Sequence, residues 1–155
     1  MGFIYSAPMD AQAFTTATDL FEVTTVAADN PIVIHQLNLC QTTDLGDAQE
    51  EVLRIGIYRG ATAGATGVGA TETPYNRGDT PATSGVVVNL NRGTASTGGT
   101  LLDIIGCNIR VPLQYIWTPE TRIRIDSTED PFTFRLMAAP ADSITISGSL
   151  IWEEV

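Results

Sequence analysis

Between Ser143 and Val155, the residues Ile144, Ile146, Leu150 and Trp152 share one parity, while Thr145, Ser147 and Ser149 share the other. Side chains of a β-strand point alternately to opposite faces, so this period of two predicts one long, half-buried strand. Ile144, Ile146, Leu150 and Trp152 are expected to anchor a core; Thr145, Ser147, Ser149 and Ile151 then face solvent or a neighbouring subunit. Chain ends fray unless something ties them down. A strand this well patterned is therefore expected to complete a sheet, which points to a β-sandwich or barrel.

The preceding segments agree. Leu20 to Ala27 is rich in Thr and Val, and Ile32 to Cys40 follows the turn signal Asp29-Asn30-Pro31. Val52 to Arg59 puts Leu53, Ile55 and Ile57 on one face. Val86 to Leu90 and Leu101 to Val111 follow, and Gly106 inside the latter suggests a bulge or a close approach. Gln114 to Thr118, Thr121 to Asp126 and Phe132 to Ala138 complete the set. With the last strand these make about nine, and the sole helical candidate, Asp47 to Leu53, is too short to stand alone. Many short strands parted by Gly, Pro and Asp turns predict an all-β, antiparallel β-sandwich or jelly roll.

Two stretches fall outside this pattern. Gly60 to Gly85 is rich in Gly, Ala and Thr and offers little apolar surface, so it is expected to be a long surface loop. Residues 1–19 place the apolar Phe3, Ile4 and Tyr5 ahead of the polar run Ser6 to Asp19. An apolar tip on a polar arm is costly to leave in water, so these three are expected to dock onto another surface. The domain proper is then 20–155.

Charge narrows the function. Of 155 residues, 18 are acidic and 8 basic, for a net charge of −10, and every basic residue is Arg. Tracking a phosphate backbone takes a basic stripe, so nucleic acid and anionic membranes are not expected partners. Met1-Gly2-Phe3-Ile4-Tyr5-Ser6 has neither the charge nor the apolar length of a signal peptide, and synthesis in the cytoplasm is expected. Cys40 and Cys107 lie in apolar strands and read as free, buried thiols.

Chemistry is sparse. His35 is the one histidine and shares the parity of Val33, Leu37 and Leu39, so it reads as a core residue rather than a catalytic or metal-binding one. Asp44, Asp47, Glu50 and Glu51 crowd one turn but match no calcium-loop spacing. Gly67-Val68-Gly69 is followed by Glu72 where a dinucleotide fingerprint needs Gly or Ala, and a P-loop needs a Lys. No enzyme, metal or cofactor is expected. Arg77-Gly78-Asp79 and Tyr75 could bind a partner from the long loop. Phe3, Tyr5, Tyr75, Tyr115, Trp117 and Trp152 could serve a carbohydrate platform or a protein interface, with core packing the alternative for the two tryptophans.

The motifs Thr73-Pro74, Asp79-Thr80-Pro81-Ala82, Trp117-Thr118-Pro119-Glu120 and Ala138-Ala139-Pro140-Ala141-Asp142-Ser143, with the terminal Gly148-Ser149-Leu150-Ile151-Trp152-Glu153-Glu154, resemble small virion-associated proteins of tailed bacteriophages. The resemblance implies a head-decoration or plug protein with a jelly roll similar to the tumour-necrosis-factor and C1q type. It also implies a homotrimer on the capsid exterior that contacts the major capsid protein, with no catalytic residues. A receptor- or glycan-binding module displayed on a particle or fibre is the alternative.

Overall fold

A computed structural model describes residues 2–25, 31–42, 51–64, 67–75, 84–90, 93–126 and 131–155. They form twelve strands: β1 (Phe3–Phe14), β2 (Asp19–Thr25), β3 (Ile32–Gln41), β4 (Val52–Arg59), β5 (Val68–Gly69), β6 (Thr73–Pro74), β7 (Val86–Leu90), β8 (Thr100–Asn108), β9 (Leu113–Ile116), β10 (Ile123–Ile125), β11 (Phe132–Leu136) and β12 (Ile144–Glu154). No helix occurs among the described residues. All nine expected strands are present; β1, β5 and β6 are additional.

Two antiparallel sheets make the sandwich. The first runs β10-β3-β12-β1-β6, with β9 also on β3, and the second runs β5-β7-β2-β11-β4-β8. Setting aside the short β5, β6 and β7, and taking β9 and β10 as one interrupted strand, the sheets read β1-β12-β3-β9/β10 and β2-β11-β4-β8. That interleaving of two Greek keys is a jelly roll.

The core fills the space between the sheets. From β12 come Ile144, Ile146, Leu150 and Trp152, all buried, and opposite them stand Phe21, Phe132 and Phe134. Each such side chain contributes roughly 1.5–3 kcal/mol on leaving water. Gly148 interrupts the apolar row of β12 because a Cβ there would run into the Asn38 carbonyl oxygen and crowd Leu39.

The expected arm at residues 1–19 is instead an integral strand. β1 pairs with β12 from Phe3↔Glu154 to Phe14↔Ile144. Tyr5, Ala7 and Met9 point inward on odd parity, whereas Phe14 points inward on even parity. A bulge between Met9 and Gln12 reverses the parity, with Ala11 held at φ 46° and its N–H donating to Ser147 Oγ at 2.9 Å. Pro8 is tolerated because β6 pairs with β1 only at Tyr5 and Ser6, leaving the outer edge of β1 near Pro8 without a described partner strand.

The Gly60 to Gly85 stretch is also more structured than expected. β5 extends the second sheet beside β7 and β6 extends the first beside β1, so a few residues span both sheets and clasp that side of the sandwich. Just upstream, Thr62 bridges Thr97, and both flanking segments lie against the outer face of the second sheet. Gly106 marks no bulge: it pairs regularly with Arg54, and the irregularity falls at Leu102, between the pairs Ile57↔Asp103 and Tyr58↔Leu101.

Candidate assembly surfaces

The three residues expected to dock a partner do not act together. Tyr5 is fully buried and stacks on Trp152, with centroids 6.0 Å apart and planes 19° from parallel. Burial, then the nearby Glu154 carboxylate, raises its hydroxyl pKa. Ile4 is half-buried, so Phe3 alone offers an exposed ring. Tyr75 is exposed beside β6, its N–H held by the Ile4 carbonyl, while Arg77 and Asp79 lie outside the described residues.

Sequence patterning missed a buried polar knot on the outer face of the second sheet. Asp19 is wholly buried, accepting hydrogen bonds from Ser96 N–H at 2.6 Å and Ser96 Oγ at 2.9 Å, with Arg135 Nε at 3.3 Å. Arg135 Nη2 donates to Ser96 Oγ at 2.6 Å, and its guanidinium lies 4.1 Å over the Tyr58 ring. Burial pushes the Asp19 carboxyl above its ordinary pKa, opposed by the Ser96 bonds and the Arg135 charge. Nearby, buried Glu22 accepts the Gly64 N–H at 2.9 Å. These two acids fasten the 61–64 and 93–97 segments to the sheet, so their role is architectural.

The outer face of the first sheet has a different character. Ser6 and Pro8 of β1, Ser147, Ser149 and Ile151 of β12, and Gln36, Asn38 and Cys40 of β3 form a field of uncharged side chains. Two of their hydrogen bonds run along and across the strands: Gln36 Nε2 donates to Asn38 Oδ1 at 2.6 Å within β3, and Asn38 Nδ2 to Ser149 Oγ of β12 at 3.0 Å.

His35 lies at the border of this field rather than in the core. β12 pairs Ile151 with Gln36 and Trp152 with Ile34, so His35 is the extra residue of a bulge. The bulge switches the inward positions from Ile32 and Ile34 to Leu37 and Leu39, turns Cys40 to the exposed side, and sets His35 Nε2 3.0 Å from Glu153 Oε2. Partial burial pushes the Glu153 pKa up. The Gly2 N–H at 2.8 Å, the His35 contact and Arg122 outweigh that and hold it below the ordinary value. Cys107 is buried, and burial together with Cys40 raises its thiol pKa.

A third surface runs along the β8 edge. Among the described residues β8 ends the second sheet, with eight of its nine residues paired to β4. Leu102 is 43% exposed and Ile104 46%, and Ile116 of the neighbouring β9 is 60% exposed. Between the two sheet edges lies a groove of about 280 Å³, lined by Leu102, Asp103, Tyr115, Trp117, Thr121 and Ile123. Tyr115 packs its ring edge-on to the buried Trp117 at 4.8 Å and reaches Asp103 Oδ2 at 3.4 Å. Burial, then that carboxylate, raises the Tyr115 pKa.

The chain matches no family model, no curated protein and no solved structure. Among the described residues no three His, Cys, Asp or Glu side chains gather to hold a metal. Asp44, Asp47 and Glu50 lie outside the described residues, and Glu51 accepts the Ala141 N–H at 3.0 Å.

Proposed function

We propose that this chain is a structural virion protein, a capsid decoration protein that cements or plugs the outer surface of a phage head as a trimer. The observation that carries the reading is the field of uncharged side chains from Ser6 to Cys40 across three adjacent strands, in a chain of net charge −10. Net charge favours solubility, and none of this chain's charge falls on these eight side chains. A broad face without charge is suited to burial against protein. Closed cyclic symmetry buries one such face per subunit around an axis, and the remaining acidic surface then faces outward. The partner is the major capsid protein, met after synthesis in the host cytoplasm. The reading requires no catalysis, cofactor, nucleic acid or membrane.

Binding to undecorated phage heads tests it. Asn38→Arg with Ser149→Arg places charge in the field and abolishes head binding, while exposed substitutions elsewhere leave it intact. A second reading, a receptor- or glycan-binding module, is favoured by Tyr75, which is 61% exposed beside the clasp. A glycan-array signal lost on Tyr75→Ala, without affinity for heads, would select that reading instead.

A further inference from the structure

We infer that the mouth of the sandwich, between β8 and the β9–β10 edge, is a binding site for a neutral sugar, taking one ring of a glycan. The inference goes beyond the capsid reading and does not rest on it. It also differs from the Tyr75 reading, because β6 and β10 end the first sheet at opposite edges.

Register puts a polar group where the core takes apolar ones. Across the β4–β8 pair, Leu53, Ile55 and Ile57 stand opposite Cys107, Ile105 and Asp103, and all of these except Asp103 are buried. Asp103 therefore holds the next position of an inward-facing row. On the first sheet Tyr115 pairs with the buried Leu37 and Ile123 with the buried Ile34, so both belong to that sheet's inward row. The two rows part at this side and leave the groove of about 280 Å³. A carboxylate in a core register, within strands that otherwise keep their pattern, is the kind of departure that functional sites show.

The lining selects the ligand, because its polar atoms chiefly accept. Asp103 Oδ1 takes the Ile104 N–H at 2.8 Å, which leaves Oδ2, and Thr121 Oγ1 donates to the Thr118 carbonyl at 3.3 Å, which leaves a lone pair. Tyr115 Oη reaches Asp103 Oδ2 only at 3.4 Å, well beyond the roughly 2.7–2.8 Å usual for an O–H···O bond. A ligand hydroxyl entering there donates to the carboxylate and accepts from the phenol.

Phosphates and carboxylates bring acceptors and negative charge, and Asp103 excludes them. An amine meets Asp103 in an open groove, where an exposed ion pair contributes little, and leaves the apolar walls unused. A sugar ring uses the whole lining: its C–H faces pack on Leu102, Ile123 and the Tyr115 ring while its hydroxyls donate to the three oxygens. Apolar and aromatic walls with a few placed polar groups are the usual makeup of a small-ligand site. The volume falls just below the roughly 300–1,000 Å³ of sites for drug-sized ligands, which suits one ring and not a lipid chain.

Nuclear magnetic resonance titration of the full-length protein tests the inference, with the methyl glycosides of glucose, galactose and mannose as neutral probes and N-acetylneuraminic acid and tetramethylammonium as charged ones. The expected result is millimolar binding of at least one neutral glycoside, with shifts of the Tyr115 and Trp117 ring resonances and none at Trp152, and no binding of the charged probes. Asp103→Asn keeps the side-chain shape and should weaken binding by roughly tenfold, equivalent to about 1.4 kcal/mol. Tyr115→Phe keeps the ring and should weaken it by about fivefold. The ring shifts are read in the unsubstituted protein, so the test stands even if a variant does not fold. Absence of binding at tens of millimolar, preference for either charged probe, or binding that survives both substitutions would overturn the inference. So would a sugar signal lost on Tyr75→Ala and kept in Asp103→Asn, which would place the glycan at the clasp instead.

Discussion

Replacing Asp19 by Ala should be the most damaging single polar change in the second sheet. The carboxylate is fully buried and bonds Ser96 twice, and the Arg135 side chain beside it is only 15% exposed. Removing it leaves a guanidinium and a backbone N–H without their anionic acceptor. Breaking a buried pair from one side costs about 3–5 kcal/mol, on the order of 10 °C in Tm for a domain of this size. Urea unfolding followed by tryptophan fluorescence measures it, because Trp117 and Trp152 are both buried. Adding Arg135→Met to Asp19→Ala should recover part of the loss, since no isolated charge then remains. A single-variant loss below about 1 kcal/mol, the range of an exposed pair, would refute the reasoning. So would strict additivity in the double variant.

Gly148→Val should destabilise by more than about 3 kcal/mol, because the new side chain meets the Asn38 carbonyl and Leu39 in a close-packed core; thermal melting measures it. The Gly2 and His35 contacts hold the Glu153 pKa below the ordinary carboxylate value, so its stabilisation is present above that ordinary value and is lost as pH falls through the folded pKa. Glu153→Gln should flatten this part of the acid limb in pH-dependent urea titrations, and an unchanged limb would count against the His35 and Gly2 contacts. Deleting residues 2–10 removes a strand paired to β12, so circular dichroism should show loss of cooperative unfolding rather than a folded protein that has lost only its binding.

Much of the architecture could be read from patterning. The alternation of β12, and of Leu53, Ile55 and Ile57 in β4, is a direct imprint of burial on one face. β1 escaped because its inward row includes the small Ala7, its outward row includes Pro8, and the bulge at Ala11 breaks the period. The same physics misplaced His35 and Cys40: a bulge adds one residue and flips every side chain beyond it, with no residue type that marks it in advance. Asp19 and Glu22 look like solvent-facing positions of a strand and are buried only because the 61–64 and 93–97 segments return across them, a long-range contact that local sequence does not encode. The β8 edge was legible as a strand, but its lack of a second neighbour among the described residues emerges only from the strand order.

Co-sedimentation of the purified protein with undecorated phage heads, counted as copies per shell, tests the central claim most directly. The account predicts saturable binding at a copy number set by one class of symmetry position on the shell, in multiples of three, and loss of binding when Asn38 and Ser149 are changed to Arg. Absence of binding by a folded protein at saturating concentration would contradict it.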